Sequence, residues 1–161
     1  MAERFVVVPS SYLLLMRGDE VLLQLRQNTG YRDGFWSCGA AGHVEKGESS
    51  AAAACREGAE ELGVIVAEAD LEPLCAMHRT AEIPEERGTY EDERADFFFV
   101  SRKWTGTPSI QEPRKCADLQ WYRLDRLPDP LVPHESTVLA ALDARRRNGT
   151  PVPPIMHQGF N

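Results

Sequence analysis

Short apolar runs punctuated by turn residues open the chain. FVVV at 5–8 and YLLLM at 12–16 are separated by Pro9-Ser10-Ser11, and VLLQL at 21–25 follows the turn signal Gly18-Asp19. Runs of this length and composition predict two strands and then a hairpin into a third. NTGYRDG at 28–34 is a loop rich in turn residues. The period then changes. At 49–62, Ser49 or Ser50 can cap a helix, alanines fill 51–54, and Gly63 stands at the C′ position. Ala52, Cys55, Ala59 and Leu62 recur at three- and four-residue spacing, which predicts a buried stripe. Beyond the helix, 71–78 and RADFFFVS at 94–101 are strand-like, the latter with three phenylalanines for the core, and the polar stretch 81–93 is an exposed loop. Gly106-Thr107-Pro108 turns the chain, 118–122 is a short strand, and 134–147 is a second helix with apolar Val138, Leu139 and Leu142. The Pro- and Gly-rich tail from about 149 is expected to lie extended on the surface. Strands and two helices that do not strictly alternate predict an α/β fold, a mixed sheet with helices on it. The 161 residues suit a single domain, and no repeat or linker divides them.

Charge narrows the possible partners. A net charge of −7 lacks the basic footprint that duplex nucleic acid requires, while small phosphorylated ligands remain open if metal ions neutralise them. Cys38, Cys55, Cys75 and Cys116 form no CxxC pair and no zinc pattern. MAERFVVVPS carries charges where a signal peptide needs its apolar region, and no apolar run is long enough to cross a membrane. The expected setting is cytoplasmic, with reduced thiols and no membrane.

The helix raises a question of its own. Glu57, Glu60 and Glu61 stand at i, i+3 and i+4 and share a face, where each like-charge pair costs about 0.2–0.5 kcal/mol. Such a face is either solvated or holds a hard cation, because Mg²⁺ takes oxygen ligands and removes the repulsion. The flanks favour the cation. Gly42 lies six residues before Glu48, Glu48 eight before Arg56, and Gly63 two after Glu61. With Glu57, Glu60 and Val64, this pattern resembles the Nudix box, G-x5-E-x7-R-E-U-x-E-E-x-G-U, where U is apolar. Seven fixed identities arise by chance in about one chain in a million of this length. Gly58 departs from the pattern, standing where an apolar residue is expected.

The chain is thus identified by resemblance as a member of the Nudix (MutT-like) hydrolase family. QNTGYRDGFWSCGAAGH before the box, and MHRT (77–80), RADFFF (94–99), EPRKCADLQW (112–121) and LPD (127–129) after it, are similar to landmarks of a bacterial subgroup. The resemblance implies an α/β/α sandwich around a mixed sheet, with the box as loop–helix–loop. It implies hydrolysis of a nucleoside diphosphate linked to some group X, with Mg²⁺ (or Mn²⁺) as cofactor. Carried over by position, Glu57, Glu60 and Glu61 and the Gly42 carbonyl are the metal ligands, and Glu57 or Glu60 is the general base. Arg56 orients the glutamates, with Glu48 as its salt-bridge partner. The partner is a small nucleotide, and a homodimer fits the family's habit.

Other residues are candidates by type and place. Arg26, leaving the strand at 21–25, is placed to meet phosphate. Phe35, Trp36 and Trp121 offer faces for a base, against core packing as the alternative. Lys115 and Cys116 lie in EPRKC, which resembles the segment near the base pocket of members that cleave nucleoside triphosphates. Such a triphosphate, split to monophosphate and pyrophosphate, is therefore the leading substrate; ADP-ribose, a nucleotide sugar and a dinucleotide polyphosphate follow. An additional acid from downstream would be Glu91, Glu93 or Asp96. His43 follows Gly42, while His78 and His134 show no partner in the sequence. Two other functions compete. Isopentenyl diphosphate isomerase shares the fold, but Ala41 holds the position of its nucleophilic cysteine and Cys38 lies three residues too early. A non-catalytic nucleotide-binding module typically loses box glutamates, and all four are present here.

Overall fold

In the computed structural model, which describes residues 4–81 and 93–160, the runs on either side of Pro9 belong to one strand, β1 (Val8–Arg17). Pro9 is tolerated because it is the second residue of the strand, outside the stretch from Ser10 to Leu13 that pairs with β4 (Ala40–His43). Residues 5–7 are not part of it, contrary to the expected strand at 5–8. The neighbouring β6 (Arg94–Ser101) begins opposite Val8, and Phe5 and Val6 are exposed.

Strand β1 organises the rest. On one edge it runs parallel to β6. Its other edge is divided: Ser10 to Leu13 pair with β4, then Met16 and Arg17 pair with β2 (Glu20–Arg26). The two partners therefore splay apart, and β2 goes on to pair with β3 (Trp36–Cys38) and β7 (Cys116–Arg123). On the far side β5 (Leu71–Arg79) pairs antiparallel with β6. The main order is β3-β2-β1-β6-β5-β8. The tail is more than an extended surface segment: its residues Ile155–Gln158 form β8, parallel to β5, with Met156 buried. Strands β3 and β4, within a glycine-rich stretch, were not legible as strands.

Period-two alternation sends β1 into two cores. Leu13 and Leu15 join Leu22, Phe99, Ala54 and Leu62 under helix α1 (Ser50–Leu62). Tyr12, Leu14 and Met16 join Phe98, Val100, Val138, Leu139 and Leu142 under α2 (Pro133–Asn148). Each fully buried leucine contributes roughly 1.5–3 kcal/mol. The result is the α/β fold with a mixed sheet between two helices that the sequence predicts.

Helix α1 is turned relative to the expected stripe. Ala53, Ala54, Glu57, Gly58 and Leu62 are buried, while Ala59 is exposed. Gly58 accounts for part of this. A Cβ there would lie 2.7 Å from Leu13 Cδ2, and Leu13 is fully buried in β1. The absent side chain lets α1 sit close on the sheet. Replacing Gly58 by alanine gains about 1 kcal/mol of helix propensity and loses about as much to crowding. Gly58→Val adds two further methyls and is expected to lower unfolding free energy by about 2–3 kcal/mol, which urea titration measures. A valine variant as stable as wild type would contradict this packing.

Candidate active site

The ends of α1 are fixed locally. Ser49 Oγ accepts from Ala52 N–H at 3.0 Å, and Gly63 adopts a left-handed φ of 68° while its N–H donates to Ala59 O. Between these caps Arg56 projects into a ring of acceptors. Its Nε and Nη2 grip both oxygens of Glu48 at 2.9 and 3.1 Å. Nη1 donates to Glu57 Oε1 at 2.7 Å and Glu60 Oε2 at 3.1 Å, and Nη2 also reaches the His43 carbonyl at 3.0 Å. Glu48 is tied further by the Glu45 N–H, and Arg56 holds its carboxyl below the ordinary range. Glu57 is pressed against the Gly42 backbone, where a Cβ would lie 2.0 Å from Glu57 Oε1. No other residue fits at 42 without moving that carboxylate.

Glu61 faces the splay between β2 and β4. Its Oε2 accepts from Gln24 Nε2 at 3.2 Å and from Ala41 N–H at 3.3 Å. Burial, then the charge of Glu57, pushes its pKa up to about 8. Burial also raises Glu57, with Arg56 opposing and Glu60 and Glu112 adding to the rise. Among the described residues, no three His, Cys, Asp or Glu side chains converge into a ready metal cage. The donor set nonetheless suits a hard cation. These carboxylates are short of positive charge, and oxygen is the ligand such ions take.

Two cavities flank the cleft and share Arg26 and Ala41. One, of about 260 Å³, is lined by Gln24, Glu61, Glu112, Lys115 and Cys116 among others. Lys115 lies 3.6 Å from Glu112. The other, of about 270 Å³, is lined by Tyr12, His43, Arg79, Arg94, His134 and Glu135. On its floor Tyr12 Oη and His134 Nε2 are 3.0 Å apart, and Glu135 Oε2 accepts from Cys38 N–H at 2.5 Å. Burial first, then Arg79, Arg26 and Arg94, holds His134 neutral.

Burial pushes Glu135 up to about 7, against 4.5 for an ordinary glutamate. The folded protein then keeps a proton that the unfolded chain releases, so stability falls as pH rises between those values and levels off above them. Glu135→Gln keeps an acceptor for Cys38. It is expected to match wild type near pH 4.5 and to exceed it by up to roughly 3 kcal/mol at pH 8. Urea unfolding at the two pH values measures this, and equal gains at both would refute it.

The structure brings Gly42, Glu48, Arg56, Glu57, Glu60 and Glu61 together, and sets Arg26 and Lys115 on the adjoining cavities. Arg26 also shapes the loop after β2, donating to Tyr31 O and Thr29 Oγ1. Trp36 is not in this group: it packs edge-on against Tyr122, ring centroids 5.0 Å apart, and lines neither cavity. Trp121 stacks on Trp104 and also has the Arg17 guanidinium over its ring, and Phe35 lies beside Arg32. Cys116 is buried, with its thiol on Asp118 O. Of the downstream acids, Glu91 lies outside the described residues. Glu93 bonds Thr80 Oγ1 at 2.6 Å, and the fully buried Asp96 pairs with Arg79. Among the described residues, Glu112 lines a cavity with Glu61; sequence reading passed over it, as it did Gln24. Glu112 stands in EPRKC beside Lys115, so that motif held the signal.

Comparison with known proteins follows the same lines. The NUDIX domain family matches residues 8–142. The NAD-capped RNA hydrolase NudC of Stutzerimonas stutzeri (strain A1501) is 29% identical over 150 residues, covering 91% of this chain and 48% of that protein. The chain thus spans about half the length of this curated relative. The MutT NUDIX hydrolase from Burkholderia pseudomallei has a TM-score of 0.73 at 24% identity, covering 84% of this chain and 98% of that one. The MutT protein from Methanosarcina mazei Go1 has a TM-score of 0.68 at 18% identity, covering 91% and 100%. These two likenesses show the fold.

Proposed function

The chain belongs to the NUDIX family, and from that premise we propose that it hydrolyses the phosphoanhydride bond of a nucleoside diphosphate linked to a further group X. The observation that carries the reading is the arrangement around Arg56: one guanidinium holds Glu48, Glu57 and Glu60, and Glu61 is held separately at the mouth of the cleft. Glu57, Glu60 and Glu61, with the Gly42 carbonyl, would hold a divalent cation, Mg²⁺ or Mn²⁺. When bound, such an ion neutralises charge developing on the phosphates and acidifies water.

The chain's own residues then have distinct tasks. Glu48 fixes the plane of the Arg56 guanidinium, which in turn sets the carboxylates of Glu57 and Glu60. One of those two accepts the proton of the attacking water. Its effectiveness rests on position, since an ionised glutamate within reach of the water already serves as base. Arg26 and Lys115 border the cleft where phosphate oxygens need donors.

The substrate proposed is a nucleoside triphosphate, cleaved to monophosphate and pyrophosphate, on the strength of EPRKC and the lysine it places on the cavity wall. The four free thiols support a reducing, cytoplasmic setting, and no described helix is long and apolar enough to cross a membrane. The test is a hydrolysis screen with Mg²⁺ or Mn²⁺ over common (d)NTPs, ADP-ribose, nucleotide sugars, dinucleotide polyphosphates and NAD, with products identified by mass. EDTA-sensitive release of a nucleoside monophosphate supports the reading. Silence from folded protein across the panel rejects it in favour of a binding module.

A further inference from the structure

The cleft has two arms that meet at Arg26 and Ala41, and their chemistry differs. One arm carries the acids Glu61 and Glu112. The other is lined by three arginines, Arg26, Arg79 and Arg94, in a chain whose net charge is −7. Arg79 is mostly buried, its side chain 16% exposed, and its Nε donates to the fully buried Asp96 at 2.5 Å. Among the described residues its remaining N–H groups have no acceptor, and Arg79 lines the cavity. Arg94 reaches His43 Nε2 with Nη1 at 2.7 Å. Asp96 offsets one charge and Glu135, when ionised, a second, so the cavity stays cationic. That field is felt at the floor, where the three arginines add to burial in keeping His134 neutral. A guanidinium held out of water with open donors matches phosphate oxygens in both charge and geometry.

Resting on the hydrolase reading of the same cleft, we propose that this arm binds a phosphoryl group at the X end of the substrate, with Arg94 and Arg79 as specificity-determining residues. Diphosphates whose X is itself phosphorylated are then preferred over those whose X is an uncharged sugar.

The test uses Arg94→Gln, and Arg79→Lys as a second variant that keeps a charge beside Asp96. Kinetics are compared for a nucleoside triphosphate and ADP-ribose, and binding of inorganic pyrophosphate is measured by calorimetry in EDTA. Arg94→Gln is expected to raise KM for the triphosphate about tenfold at similar kcat, to leave ADP-ribose unchanged, and to weaken pyrophosphate about tenfold. Arg79→Lys is expected to weaken pyrophosphate likewise. Equal losses on both substrates, or pyrophosphate binding that neither variant alters, overturns the proposal. If no diphosphate is hydrolysed at all, the hydrolase reading fails and the pyrophosphate titration alone decides the arginine arm.

Discussion

Replacing Glu61 by glutamine is expected to lower kcat by about two to three orders of magnitude, the scale of losing one preorganised electrostatic group. The fold should not suffer. Glu61 Oε2 only accepts, from Gln24 and from Ala41 N–H, and an amide oxygen in the same place keeps both bonds. Burial and the neighbouring Glu57 resist its ionisation, whereas the unfolded chain's glutamate ionises freely, so a neutral amide removes that penalty and the unfolding midpoint should match or exceed wild type. What the variant loses is a charged oxygen donor on the cleft wall. Turnover at saturating Mg²⁺, read beside a thermal melt, separates the two effects. A wild-type rate would take Glu61 out of the site.

Arg56→Lys should do nearly as much harm by a different route. The guanidinium makes five hydrogen bonds, to Glu48 twice, Glu57, Glu60 and the His43 carbonyl. An ammonium is a point charge with three donors and cannot grip both oxygens of Glu48 while spanning the other three acceptors. Glu57 and Glu60 would keep their charge and lose their orientation. The expected loss is about ten- to a hundredfold in kcat/KM, on the scale that misplacing a reacting group costs, and about 1–2 kcal/mol of stability, a shift of a few degrees in Tm. Activity close to wild type with lysine would mean that positive charge alone suffices and that the fork is incidental.

Helix α1 was legible because three independent signals coincide there: a capping serine, an alanine run and a C′ glycine. The box glutamates were legible by spacing along that helix. Its buried face was not, since alanines at 51–54 offer no contrast between inside and outside, and the decisive residue is Gly58, which contributes no apolar surface. Strands β3 and β4 escaped because Gly39 stands between them, Gly42 lies within β4, and each is only a few residues long. The cationic cavity was invisible for a different reason. Tyr12, Arg79, Arg94 and Glu135 come from β1, β5, β6 and α2, so only the register of the sheet and the docking of α2 on it bring them together. Glu112 escaped notice because only the fold sets it in a cavity with Glu61, whereas one oxygen each of Glu93 and Asp96 is engaged by Thr80 and Arg79.

The three tryptophans all lie away from the two cavities. Trp36 rests on Tyr122 at the α2 side of the sheet, while Trp104 and Trp121 stack at 5.9 Å on the α1 side. Intrinsic emission therefore samples both cores at once. That optical signal gives a folding record in which the two faces are weighed together, and a single sharp transition in it would mean that the sheet and both helices come apart as one unit.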